Sequence, residues 1–232
     1  MSDPSEHPLQ SLVPVEAVVF DVYGTLLDVS SLEGACRDVT SDPDGFVGIW
    51  RRKQLEYTWV SALMGRYKDF GAITARALDH VADRYDVRLD RGTRESLLRA
   101  WVELRPYPEV PEVLAGLSNR VLAVLSNGTP RMLDEGLEAA GIRDRFALIL
   151  SVDAIGTYKP APGVYELAEH AIGLDRNRLL FVSANGWDAA GAASFGLRTA
   201  WVNRTGEAPD RLGPAPALEV GDLRELARRL TG

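Results

Sequence analysis

The sequence predicts an α/β protein: a doubly wound parallel sheet whose first strand is followed by an all-helical insert. Three observations predict it. Five strand-length apolar runs each end at a polar or Gly-rich junction, helical patterns separate the later four, and the interval from Asp28 to about Tyr107 holds helical patterns alone. Strand–helix alternation of this kind makes right-handed βαβ units.

The five apolar runs are the candidate strands. They are "EAVVFD" (16–21), "RVLAVLS" (120–126), "FALILS" (146–151), "RLLFVS" (178–183) and "RTAWVN" (198–203). Each is apolar on both parities, as a strand covered on both faces is. Among the helices, "PRMLDEGLEAAG" (130–141) ends at a Gly, a common helix stop. "APGVYELAEHAIG" (161–173) starts with Pro and ends with Gly, and "GWDAAGAASFG" (186–196) is small enough in its side chains to pack closely on a sheet. "GDLRELARRL" (221–230) reads as a final amphipathic helix, and "TGEAPDRLGPAPALE" (205–219) as a Pro/Gly-rich loop. In the insert, "FVGIWRRKQLEYTWVSALMGRY", "FGAITARALDHVADRYDV" and "RGTRESLLRAWVEL" read as amphipathic helices.

Composition bounds the rest. The 232 residues are 46% hydrophobic and 25% charged, ordinary for a globular chain with a real core. A net charge of −7 argues against a nucleic-acid footprint but not against an anionic substrate, which a local Arg or Lys attracts. Cys36, the single cysteine, excludes an intrachain disulfide and a Cys metal cluster. No run is long and apolar enough to span a membrane. Residues 1 to 14 read as a loose polar tail without an apolar signal core, which gives the expectation of a cytoplasmic protein.

In open α/β sheets, ligands bind beyond the carboxyl ends of the strands. The polar residues there are Asp21, Tyr23 and Thr25 after the first strand, Ser126 and Asn127 after the second, Lys159 after the third, and Ser183, Asn185 and Asp188 after the fourth. Each has a plainer role available. Asp21 is placed to cap a turn, Ser126 and Asn127 to cap a helix, Lys159 to sit in a solvated loop, and Asp188 to favour a helix dipole. Their convergence on one rim, and the apolar run that desolvates Asp21, favour a functional site. On the first insert helix, Val47, Arg51 and Leu55 fall at i, i+4 spacing, and Trp59 continues the line. Arg51 there is either a snorkelling arginine or one aimed into a cleft. Arg52 is expected to pair with Glu56 on the surface.

At these residues the chain resembles a known family. "FDVYGTLLDV", "LSNG", "YKP" and "FVSANGWDAAGA" are similar, in order, to the four motifs of the haloacid dehalogenase superfamily. "IWRRKQLEYTWVSALMGRY" and the fourth motif resemble, more narrowly, the L-2-haloacid dehalogenases. The resemblance implies a Rossmann-like catalytic core over 15–28 and 107–232 and a helical cap over 29–106. It also explains Tyr23. Superfamily phosphatases carry a second Asp at that place and acids in the fourth motif that hold Mg²⁺. Here the fourth motif is carboxylate-poor, which suits a hard cation badly.

The resemblance implies that Asp21 attacks Cα of an (S)-2-haloacid, expels halide with inversion, and forms an aspartyl ester that water hydrolyses to an (R)-2-hydroxy acid. No metal or cofactor is expected. Lys159 is implied to keep Asp21 ionised, and Thr25, Tyr165, Ser183 and Asn185 to orient Asp21 and Lys159. Ser126 and backbone N–H groups after the nucleophile, such as that of Val22, are implied to bind the substrate carboxylate. Arg51 and Asn127 match the halide acceptors, and Tyr23, Leu55, Phe70 and Trp187 the apolar lining. Asp188 is implied to position the hydrolytic water. The partners expected are the anionic 2-haloacid, its halide product and a second copy of the chain in a homodimer, with no nucleic acid and no membrane. The rival readings are a Mg²⁺-dependent phosphatase of the same superfamily and a non-catalytic binding protein on the same scaffold. Neither His80 nor His170 nor His7 falls at a strand end, and there is no G-x-S-x-G elbow, which argues against an α/β-hydrolase with an Asp–His pair.

Overall fold

The computed structural model describes residues 14–231. The tail expected over 1–14, except Pro14, lies outside the described residues, and His7 with it. Six parallel strands form one sheet in the order β3-β2-β1-β4-β5-β6. They are β1 (Ala17–Phe20), β2 (Val121–Ser126), β3 (Leu148–Ser151), β4 (Leu179–Ser183), β5 (Arg198–Val202) and β6 (Leu218–Val220). Strand β1 pairs with β2 on one side and β4 on the other, and all four of its residues are fully buried. That is why its sequence is apolar at every position. The chain steps outward from β1 to β2 and β3, then returns to β4 on the opposite flank. The strand order therefore reverses between β1 and β4, which is the switch point of the sheet. Asp21 emerges there, its N–H donating to the Val182 carbonyl at 2.9 Å.

Between β1 and β2 lie α1 (Glu33–Cys36), α2 (Pro43–Leu63), α3 (Phe70–Arg84), α4 (Arg91–Ala100) and α5 (Val110–Gly116). The three long helices start where an Asp side chain accepts a backbone N–H: Asp42 from Gly45, Asp69 from Ala72 and Asp90 from Thr93. Each such cap satisfies an N–H that the first helical turn leaves unpaired. The two ends of the insert run side by side, Asp28 N–H donating to Arg105 O at 2.8 Å and Tyr107 N–H to Leu26 O at 3.0 Å. This pairing supports, as a proposal, the division into a cap over 29–106 and a core over 15–28 and 107–232. The later helices are α6 (Pro130–Ala139), α7 (Pro162–Ile172), α8 (Gly186–Phe195) and α9 (Leu223–Thr231). Among the described residues no helix is long and apolar enough to cross a membrane.

Four details differ from the sequence reading. Strand β6 falls in the stretch expected to be a loop; three residues with a buried–exposed–buried pattern carry too little periodicity to stand out beside Pro214 and Pro216. Helix α5 was not expected, because seven residues hold less than two full apolar periods. Glu56 pairs with Lys53 at 2.8 Å, one helical step away from the expected Arg52. On α2 the fully buried side is Phe46, Val47, Trp50, Gln54, Thr58 and Ser61. The expected line of Arg51, Leu55 and Trp59 is half-buried and runs beside that stripe.

Candidate active site

The nucleophile candidate is held by three donors from three parts of the chain. Asp21 Oδ2 accepts from Thr25 Oγ1 at 2.9 Å and from Asn185 Nδ2 at 2.9 Å, and Oδ1 accepts from Lys159 Nζ at 3.0 Å. Only 6% of Asp21 is exposed. Thr25 reaches back because the chain turns at Gly24, whose φ of +88° lies in the left-handed region that glycine adopts without a Cβ penalty. Thr25 Oγ1 also accepts the Ala184 N–H at 2.9 Å, so one hydroxyl joins the ends of β1 and β4. Ser183 Oγ accepts the Asn185 N–H at 3.1 Å, and Asn185 Nδ2 also donates to Tyr23 O at 3.2 Å. Ser183 thus positions Asn185, and Asn185 positions Asp21.

Lys159 lies between two buried carboxylates, 3.0 Å from Asp21 and 2.9 Å from Asp188. Burial pushes its pKa down, but Asp188 and Asp21 together push harder, and it ends above the ordinary lysine range. Tyr165 Oη donates to Asp188 Oδ1 at 2.8 Å. Asp188 is held above the ordinary carboxylate range: burial raises it, Lys159 opposes, and the charge of Asp21 raises it again. Burial sets the direction, and the second carboxylate facing the one ammonium adds to it. Burial likewise raises the Tyr165 hydroxyl, with Asp188 adding to it, so Tyr165 stays a donor. Helix α8 brings Asp188 this close through Gly191. A Cβ there would stand 2.5 Å from Pro160 and 2.6 Å from the Tyr165 hydroxyl.

The second strand end supplies Asn127, whose Oδ1 accepts the Lys159 N–H at 3.1 Å, and Ser126, whose Oγ accepts the Gly128 N–H at 3.2 Å. From the insert, Arg51 reaches Tyr23 O at 3.5 Å. That contact brings the guanidinium to the backbone two residues after Asp21. Burial lowers its pKa, and the charge of Asp21 pulls against that. Tyr23 stacks on Phe70 at 5.5 Å and meets Trp101 edge-on at 5.7 Å. Burial raises the Tyr23 hydroxyl, so this residue presents an aromatic wall with a neutral tip. Val22 and Phe70 are buried and Leu55 half-buried, and Trp187 meets Trp59 of α2 edge-on at 5.3 Å. A cleft of about 330 Å³ flanks the site on the β5 side, with Gly24, Asn185 and Trp187 in its wall.

Asp21, Thr25, Lys159, Asn185 and Asp188 therefore come together at the β1–β4 switch point, with Tyr165 on Asp188 and Tyr23 and Phe70 stacked beside them. Sequence reading missed others. Gln54 anchors Arg51, and its i+3 position was the available signal. Tyr158 Oη donates to Lys68 O at 2.6 Å, tying the Lys159 loop to the insert. Arg204 Nη2 donates to Thr25 O at 3.0 Å. It also pairs with Glu109 at 2.6 Å and stacks on Tyr107 at 3.7 Å, contacts that no local pattern announces. Among the described residues no three His, Cys, Asp or Glu side chains gather as a metal site.

The model of the haloacid dehalogenase-like hydrolase family matches residues 15–196. The chain belongs to this family. Curated relatives of this hydrolase include an (S)-2-haloacid dehalogenase of Pseudomonas sp. (strain YL), 46% identical over 215 residues, covering 91% of this chain and 93% of that one. Haloacetate dehalogenase H-2 of Moraxella sp. (strain B) is 40% identical over 209 residues, covering 89% and 93%. The L-2-haloacid dehalogenase of Xanthobacter autotrophicus with chloropropionic acid covalently bound superposes with a TM-score of 0.90 at 35% identity, covering 94% of this chain and 99% of that one.

Proposed function

We propose that this hydrolase converts (S)-2-haloacids to (R)-2-hydroxy acids and halide through an aspartyl ester at Asp21. One observation carries the reading: the Asp21 carboxylate is held by Thr25, Asn185 and Lys159, while Tyr23 fills the place of a second acid with a stacked ring. The site is built around a fixed nucleophile with no partner acid, and a halide leaving group needs none. The kinship to (S)-2-haloacid dehalogenases favours this reading over the phosphatase. A divalent cation would need the Asp188 carboxylate, which Lys159 and Tyr165 already engage. The chemistry is accordingly written without a metal.

The proposed steps assign these residues the roles that the family resemblance implies. Lys159 keeps Asp21 ionised, and one carboxylate oxygen attacks Cα of the substrate in line. The C–O bond forms as the carbon–halogen bond breaks, and the halide leaves with its electron pair on the opposite side, with inversion at Cα. Arg51 and Asn127 accept the halide; Asn127 Oδ1 is taken by the Lys159 N–H, so its NH₂ end faces away from that bond. Ser126 and backbone N–H groups near Val22 bind the substrate carboxylate, and Leu55, Phe70, Tyr23 and Trp187 exclude water. Near-attack placement supplies roughly 7–11 kcal/mol of the barrier reduction. Water, positioned by Asp188, then attacks the ester carbonyl carbon of Asp21 and passes a proton to the Asp188 carboxylate; the ester C–O bond breaks, the departing alkoxide takes the proton of the newly formed Asp21 carboxyl group, and Asp188 returns its own to solvent. The hydroxy acid leaves and the carboxylate is restored.

The proposal carries with it the cytoplasmic placement and the homodimer expected from the sequence. Leu63 and Met64, 88% and 59% exposed at the end of α2, support an apolar contact there. The test of the reaction is chloride release from separate L- and D-2-chloropropionate in EDTA, with p-nitrophenyl phosphate plus Mg²⁺ alongside. The L form alone should release chloride, unaffected by EDTA. Phosphate release without chloride would favour the phosphatase.

A further inference from the structure

Arg51 is unusual in what anchors it. Among the described residues its hydrogen-bond partners are neutral carbonyl oxygens, Gln54 Oε1 at 2.7 Å and Tyr23 O at 3.5 Å, and no carboxylate pairs with it. Gln54 is fully buried and Thr74 almost so. An amide in such a place has two orientations, and here the neighbours select one. Thr74 Oγ1 donates its proton to Phe70 O at 2.6 Å, so it faces Gln54 as an acceptor. Gln54 Nε2 donates to it at 2.6 Å. The carbonyl end is then obliged to face Arg51. Trp50, on the same face of α2 as Gln54, adds a second bond to the same residue, its Nε1 donating to Thr74 O at 2.9 Å.

We propose that Gln54 and Thr74 are positioning residues that orient the Arg51 guanidinium toward the departing halide while leaving its charge uncompensated. The inference rests on the role of Arg51 as halide acceptor and adds to it the reason for a neutral anchor. A buried glutamate at 54 would hold the guanidinium in nearly the same place, since the two side chains have the same shape and a carboxylate accepts from Arg bidentately. It would also cancel the charge that attracts the substrate and stabilises the leaving anion. A buried donor aimed at developing charge contributes roughly 10²–10³ in rate, so the loss should be readable.

The experiment compares Gln54→Glu, Thr74→Val, Thr74→Ser and Arg51→Ala with the unaltered enzyme. It measures inhibition by added chloride and kcat with 2-chloro- and 2-bromopropionate, with circular dichroism to follow folding. Gln54→Glu should weaken chloride inhibition about tenfold or more, and should slow the chloro substrate more than the bromo substrate, since the poorer leaving group leans harder on Arg51. Thr74→Val, which deletes the acceptor that sets the amide, should shift both readouts in the same direction by a smaller factor, and Thr74→Ser should restore them. A purely structural role would slow both substrates equally and leave chloride inhibition unmoved, and that result in Gln54→Glu or in Thr74→Val overturns the proposal. Arg51→Ala separates the two layers. If it too shows no leaving-group dependence and unchanged chloride inhibition, the halide role of Arg51 fails. If it shows both effects and the Gln54 and Thr74 variants show neither, the anchor alone fails.

Discussion

Replacing Lys159 with Met removes one ammonium from between two buried carboxylates and keeps the aliphatic length of the side chain. The distances of 3.0 Å to Asp21 and 2.9 Å to Asp188 leave no room for both acids to stay charged once the cation is gone. Breaking a buried pair by removing one partner typically costs about 3–5 kcal/mol. The same number follows from protonation. A carboxyl group with an unfolded pKa of about 3.9 that must hold a proton at pH 7 pays about 3.1 × 1.36, or roughly 4 kcal/mol. Asp188 is the group that takes the proton, because burial already raises it. In the variant its folded pKa stands above the unfolded one, so the folded state binds the extra proton and stability falls as pH rises. The deficit against the unaltered protein should therefore widen by about 1.4 kcal/mol per pH unit near neutrality. Urea denaturation of both proteins at pH 6, 7 and 8 measures it. A deficit that is the same at all three values, or below about 1 kcal/mol at pH 7, would refute the account of the Asp21–Lys159–Asp188 cluster.

Other expectations follow from the same geometry. In the unaltered protein Lys159 is raised, so its stabilising contribution is complete below the unfolded lysine pKa of about 10.4 and is lost as pH rises through the folded value; alkaline unfolding monitored by circular dichroism should show this limb, and Lys159→Met should lack it. Asp21→Asn should abolish halide release without changing the unfolding free energy by more than about 1 kcal/mol, since Lys159 keeps Asp188 as its partner, as an assay with halide detection and a urea curve would show. Arg51→Lys should lower kcat/KM by roughly 100-fold, because an ammonium cannot present the planar fork that meets both Gln54 and a halide; an unchanged value would remove Arg51 from the site. Light scattering at micromolar concentration should report a dimer, and Leu63→Glu should shift it toward monomer if the exposed end of α2 forms the contact.

What was legible in the sequence was what the sheet dictates. Strand β1 reads as buried because it is central, with partners on both flanks, and the break after Phe20 puts Asp21 at the carboxyl end of the sheet. Lys159, Asn185 and Asp188 could be gathered for the same reason, since parallel strands deliver their ends to one rim. Arg51 was harder. Its line shares Val47 with the buried stripe and otherwise runs beside it, because α2 buries Trp50 and Gln54 against Thr74 of α3 and leaves Arg51 and Leu55 half-buried. The supports were not legible. Gln54 and Thr74 meet across 20 residues, and Arg204 meets Thr25 across 179. Such contacts depend on how the elements pack, and no periodicity within either segment encodes them. Strand β6 escaped because an edge of three residues needs only its neighbour β5 to form.

The central claim is that Asp21 carries the substrate covalently. A single turnover of L-2-chloropropionate with excess enzyme in oxygen-18 water tests it most directly, with mass analysis of both the product and the Asp21 peptide. The account predicts unlabelled hydroxyl oxygen in the product and oxygen-18 in the Asp21 carboxylate, since water attacks the ester carbonyl. Label in the product hydroxyl with none in Asp21 would mean that water attacks Cα directly, and the nucleophile assigned here would be wrong.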